Sequence, residues 1–362
     1  MFLKINLFLI LLLSINQFCI AQYKIYLPKN TGYNSGYATV INHNQYVRIF
    51  NKQSKKQVFI EFYDLTTGKL VNQLAINNLN LVESFYLESN NTFWLFDEGK
   101  GTLIKTVDGV KKQEIDVFGN ISIPKSGYYP YAGDMKWSPI HFYKNNFYLI
   151  NSFDRTAKNT IKRVTDKEFI QSVNILTKKV GNKAPLPWLF FERDYGMMNK
   201  FSSLRKENLI IIAPNFSNEI FLFNLENGNL ISPILDNKNK YYSIAEPLLT
   251  KDKFDISGIS EQDWSIKMEQ HFKNNNEYIN IIYDPYKKQY YRTLLIKDPK
   301  LKKETPLEII VLDEDFAFVK AKKLNSDYNP AGMFVTEKGI NILNYTKYKE
   351  NSDILIFDTF KL

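Results

Sequence analysis

The chain is 362 residues long, 15% aromatic, has a formal net charge of +9, and holds a single cysteine, Cys19. One cysteine excludes a disulfide framework, and a chain of this length buries a core without one. The lysines are spread along the chain rather than gathered into a basic stripe with stacking aromatics, which argues against nucleic-acid binding.

The chain opens with Met1-Phe2-Leu3-Lys4 and an apolar run from Ile5 to Ile15. One positive charge before a greasy stretch is the pattern of an export signal. The run is too short for a bilayer span, which takes about 20 residues. Cys19 and Ala21 are small residues suited to a cleavage after Ala21, so residues 1–21 are expected to be a signal peptide. Residues 22–362 are then expected to form a single domain in the periplasm, on the cell surface or outside the cell. A lipid anchor at Cys19 is disfavoured, because Phe18 and Asn16 stand where a small residue and a leucine are needed. The later apolar runs are short and alternate with polar residues, so no membrane span is expected.

A loose unit recurs beyond the signal: a short apolar strand ending in Asp or Asn, a turn, and a second strand. It is found at Asp64, Asp97, Asn224, Asp284, Asp313 and, at the C-terminus, Asp358. Asp or Asn at a turn bonds its own backbone two residues on, and Gly supplies a positive φ. Hairpins that recur without helical runs between them exclude a parallel α/β sheet. A blade of about 40–50 residues divides the chain into six blades, with seven as the alternative. The expectation is therefore an all-β fold, a β-propeller, with one short helical insertion.

That insertion is predicted at Ser260 to Phe272, with Ser260 as its cap and Asp263 three residues on. Trp264, Met268 and Phe272 share one face of it, a spacing that suits packing.

Two aromatic stretches are candidate binding loops. Residues 185–196 hold Trp188, Phe191, Glu192, Arg193 and Asp194 behind two prolines. Residues 127–137 hold Tyr131 and Trp137. Aromatic platforms flanked by charge grip sugars or peptide side chains. The three histidines, His43, His141 and His271, are far apart and lie in no metal-binding or nucleophile motif. Asp313-Glu314-Asp315 lacks the spacing of a calcium loop and reads as a solvated turn. No metal and no cofactor is called for.

The segment Tyr278 to Ile296 contains Tyr283-Asp284-Pro285-Tyr286 followed by Tyr290-Tyr291-Arg292. Pro285 presets φ for a type I turn. Arg292 then either stacks on a tyrosine or pairs with Asp284. This segment, together with 208–224, 310–324 and 334–342, resembles DUF4221, a family of propeller-like proteins of Bacteroidota with no assigned function. The resemblance implies a propeller and an envelope location, and no activity.

Three functions fit these features. The first is a binding protein for a protein or glycan, without chemistry. The second is a propeller enzyme acting on glycans, with a site assembled from several blades. The third is a structural component of an envelope assembly.

Overall fold

The computed structural model describes residues 22–29, 37–41, 44–52, 56–79, 82–97, 100–117, 130–132, 139–153, 169–184, 193–234, 245–250, 258–297 and 306–362. The expected signal peptide, residues 1–21, lies outside these residues.

Strand β1 (Gln22–Tyr26) comes first. The first blade follows as β2 (Tyr37–Ile41), β3 (Gln45–Lys52), β4 (Gln57–Asp64) and β5 (Leu70–Asn77). The second is β6 (Val82–Ser89), β7 (Thr92–Asp97), β8 (Thr102–Val107) and β9 (Val110–Asp116). In the third, β10 (Pro130–Ala132) and β11 (His141–Tyr143) share the inner position, followed by β12 (Asn146–Phe153), β13 (Ile170–Asn174) and β14 (Val180–Ala184). After β15 (Arg193–Asp194) comes the fourth, β16 (Phe201–Lys206), β17 (Leu209–Pro214), β18 (Ile220–Asn224) and β19 (Leu230–Ile234). After β20 (Leu249–Thr250) and helix α1 (Glu261–Asn274) comes the fifth, β21 (Glu277–Asp284), β22 (Gln289–Leu295), β23 (Leu307–Leu312) and β24 (Phe318–Leu324). The chain ends with β25 (Tyr328–Thr336), β26 (Gly339–Asn344), α2 (Tyr345–Glu350) and β27 (Ile354–Phe360).

These are six antiparallel sheets arranged as a six-bladed β-propeller, so the expected architecture and the lower blade number both hold. The last blade runs β25-β26-β27-β1, so its outer strand comes from the start of the chain. First strands meet around the axis, β2 against β25, β25 against β21, and β21 against β16. A small ribbon, β15 with β20, lies outside the blades.

Side chains alternate across each strand, so a middle strand feeds two cores at once. In β17, Ile210 and Ile212 pack toward the third blade, while Ile211 and Ala213 pack toward the fifth. This explains the continuous apolar run in a strand buried on both faces. The seam between the last and first blades is aromatic. Tyr46 lies 5.7 Å from Phe334 and 5.4 Å from Phe357, ring to ring.

The recurring Asp and Asn residues hold the turns. Asp64 Oδ1 accepts from the Thr67 N–H at 2.6 Å, and Asn224 Oδ1 from the Glu226 N–H at 2.8 Å. Asp313 Oδ1 accepts from the Asp315 and Ala317 N–H groups at 2.9 and 2.8 Å. Asp284 accepts from the Tyr286 and Lys287 N–H groups at 2.9 and 3.1 Å and from the Tyr291 hydroxyl at 2.8 Å. These turns also join neighbouring blades. Lys144 pairs with Glu226 at 2.7 Å, and Lys206 pairs with Glu314 at 2.7 Å.

The predicted helix is present as α1, with Ser260 Oγ accepting from the Asp263 N–H at 3.1 Å. Trp264 and Met268 pack on Leu248 and Leu249, and Phe272 packs on the core between the third and fourth blades.

Candidate functional site

The two ends of the ring are built differently. At one end, first strands join second strands over residues 42–44, 90–91, 144–145, 207–208, 285–288 and 337–338. Third strands join fourth strands there over 65–69, 108–109, 175–179, 225–229 and 313–317. Those that lie wholly among the described residues are tight turns. The opposite end carries the long connections, including 154–169, 296–306 and 345–353. It also carries the passages from blade to blade: 117–129, 185–192 and 235–276 lead into the third, fourth and fifth blades. In the third blade the inner strand breaks between Ala132 and His141. Their partners on β12, Asn151 and Tyr148, are only three positions apart.

Of the two aromatic stretches, only residues 130–132 and 193–196 are described. Trp188, Phe191, Glu192 and Trp137 lie outside the described residues. Tyr131 is in β10, paired with Ser152, and its side chain is outside the described set. Arg193 and Asp194 form β15 and pair with Thr250 and Leu249 of β20.

Asp194 is only 1% exposed. Its Oδ1 accepts from the Gly196 N–H and from Asn199 Nδ2, each at 2.7 Å. This corrects the expectation that it faces a ligand: its carboxylate shapes the turn behind Arg193. Next to it, Tyr195 stacks flat on Phe216, with centroids 3.8 Å apart and planes 4° from parallel.

Beneath this layer is a polar cluster at the boundary of the fourth and fifth blades. The 215–219 loop follows β17 and is held by Arg292 of β22. Arg292 donates from Nη2 to the Pro214 and Ser217 carbonyls at 2.8 and 3.0 Å. Its guanidinium lies 4.3 Å from the Tyr278 ring centroid, so of the two expectations the tyrosine stack is the one realised. Burial lowers its pKa to about 10, against the opposing pull of Tyr278 and Glu219. Burial also raises the Glu219 carboxyl, while Arg193 and then Arg292 pull it back. Asn215 Nδ2 donates to Glu277 Oε1 at 3.3 Å. Glu219 Oε2 and Asn215 Oδ1 are buried with no donor to them. Buried acceptors in that position take their hydrogen bonds from water or from a ligand.

Sequence reasoning missed Glu219, Asn215 and Glu277. The local signal for the first two is a mostly polar stretch, Asn215 to Glu219, interrupted by Phe216, directly after the apolar β17; Glu277 opens β21, far from it in sequence.

One pair has the spacing of a nucleophile and its base: His141 Nε2 and Ser203 Oγ, 2.8 Å apart across the third and fourth blades. Burial, and then the charge of Arg205, push the His141 pKa down to about 3. An imidazole that resists protonation this strongly is a poor general base near neutral pH. The pair acts as a polar pin between blades. Among the described residues, no three His, Cys, Asp or Glu side chains gather into a metal site. No described helix is long and apolar enough to cross a membrane.

No family model matches the sequence, and no curated protein matches it. Solved structures do. A DUF4221 family member from Bacteroides vulgatus superposes with a TM-score of 0.68 at 14% identity, covering 94% of this chain and 96% of that one. A Bacteroides fragilis protein described as exported superposes with a TM-score of 0.53 at 10% identity, covering 95% of this chain and 96% of that one. At these identities the likeness is one of fold. It bears out the resemblance seen in the sequence: the chain is similar, over nearly its whole length, to propellers of the DUF4221 type.

Proposed function

We propose that this chain is an exported propeller that binds a protein or glycan at the long-connection end of its ring and carries out no chemistry. Residues 1–21 serve as the export signal, and 22–362 act as one propeller in the periplasm, on the surface or outside the cell. The observation that supports this reading is the contrast between the ends of the ring. One end is closed with tight turns, whereas the other carries long passages into three successive blades, two of them rich in aromatics. Loops set on a rigid scaffold are where binding residues concentrate.

In this reading Trp188, Phe191, Tyr131 and Trp137 provide stacking surfaces. Glu192 and Arg193 provide charge, and Asp194 fixes the turn that carries Arg193. The test is a glycan array probed with the purified protein and a Trp188→Ala variant. Specific glycan binding that Trp188→Ala abolishes is the expected result. Binding that survives the substitution moves the site away from this loop. If neither protein binds, glycans are excluded and a protein ligand is left.

A further inference from the structure

Each blade presents the free edge of its outer strand, and a free edge is a template for another strand. Five of the six outer strands are guarded. Lys24 lies in β1, Lys111 and Lys112 in β9, and Lys183 in β14. Pro233 interrupts β19, and β24 carries three lysines. Charges and prolines on an edge are the usual defence against pairing with another chain.

Strand β5 has no such guard. Its eight residues, LVNQLAIN, include neither a charge nor a proline, and it is the longest of the six outer strands. Leu70 is 38% exposed and Val71 61% exposed. Near Ala75 the edge meets the next blade, since a Cβ on Gly109 would stand 3.3 Å from the Ala75 carbonyl oxygen. The accessible stretch is therefore the first half of the strand, where both exposed apolar side chains lie.

We propose that β5 is a dimerisation edge, pairing antiparallel with β5 of a second copy of this chain. Two observations favour a second copy over another occupant. The chain is strongly basic, so two copies repel least where each is uncharged, and β5 is the longest uncharged outer strand. An acidic partner would instead seek the lysine-bearing edges of β9 or β24. In addition, Asn72, in the accessible half, carries an amide, which both donates and accepts, so it is complementary to its own copy across an antiparallel pair. A two-fold axis between the two copies of the strand gives an isologous, closed pair.

The test is light scattering and sedimentation of the purified protein over a range of concentrations, beside Val71→Lys and, as a control, Val110→Lys on β9. Val110 is 55% exposed, a comparable site on a guarded edge. The expected result is a concentration-dependent dimer that Val71→Lys weakens by about tenfold or more, and that Val110→Lys leaves unchanged. Amide exchange in β5 should also slow as concentration rises, a readout that needs no variant. A monomer at every concentration would overturn the proposal. So would a dimer indifferent to Val71→Lys.

Discussion

Gln22 donates from its side-chain amide to Asp358 Oδ1 at 2.7 Å, and the two residues are also partners in the β1–β27 ladder. Asp358 is the hub of the closing blade. Its Oδ2 accepts from the Tyr328 hydroxyl at 3.0 Å and from Asn344 Nδ2 at 2.9 Å, while Lys347 Nζ lies 3.3 Å from Oδ1. Replacing Asp358 with Ala removes the acceptor for all of them at a buried position. We expect a loss of about 3 kcal/mol, read as a lower urea midpoint. Gln22→Ala removes one hydrogen bond and should cost about 1 kcal/mol. Equal losses for the two variants would rule out the hub role.

The turns at Gly68 and Gly228 provide a paired comparison. Each glycine lies four residues after its turn-forming Asp64 or Asn224, with φ of +69° and +73°. Around Gly228 nothing lies within 4 Å of a built Cβ, whereas at Gly68 that atom would stand 1.9 Å from the Lys24 carbonyl oxygen of β1. Gly228→Ala should cost only the left-handed backbone penalty of about 1–2 kcal/mol. Gly68→Ala pushes on the closing strand as well and should cost at least twice as much. Thermal melts of the two variants side by side test this.

His141 gives the stability a pH dependence. Its folded pKa is about 3, against an ordinary value of 6.5. Above pH 6.5 the ring is neutral folded or unfolded and contributes no slope. As pH falls from 6.5 towards 3 the unfolded chain takes up a proton that the folded chain refuses, so stability is lost by up to about 1.4 kcal/mol per pH unit. His141→Gln keeps a polar group opposite Ser203 and cannot titrate. Urea midpoints measured between pH 7 and pH 4 should fall less steeply in this variant.

Arg292 spans two blades with both arms of its guanidinium, Nη2 donating to the Pro214 and Ser217 carbonyls and Nη1 to the Glu219 carbonyl at 3.5 Å. Arg292→Lys retains the charge and loses the fork, so it should destabilise by about 2–4 kcal/mol. If hydrogen exchange in the 215–219 loop is unchanged in this variant, the loop does not depend on Arg292.

The hairpins were legible because their signals are local. Asp64, Asn224 and Asp313 each meet their hydrogen-bond donors within four residues. Asn174 holds an equivalent turn, with Oδ1 accepting from the Thr177 N–H at 2.9 Å. In it Lys178, at φ 57°, takes the place where the turns at Asp64 and Asn224 have glycine. Asp358 looked like one more turn residue, yet its fourth strand is β1, at the opposite end of the sequence. The polar cluster was hidden for the same reason: Arg292 and the loop it grips are more than 70 positions apart. Burial that depends on which blades become neighbours leaves little trace in any single segment.

The strand that completes the last blade is also the first to be synthesised. Until β27 emerges, β1 has no partner, and Ile25, fully buried in the finished ring, has no core to enter. Maturation therefore ends in one late commitment that joins opposite termini, a long-range contact that is slow to form. A nascent chain stalled before residue 354 would hold at most five complete blades beside an open seam, the kind of exposed edge that recruits chaperones or aggregates. Nicks, tags or truncations at the head and at the tail of this polypeptide should accordingly produce the same defect.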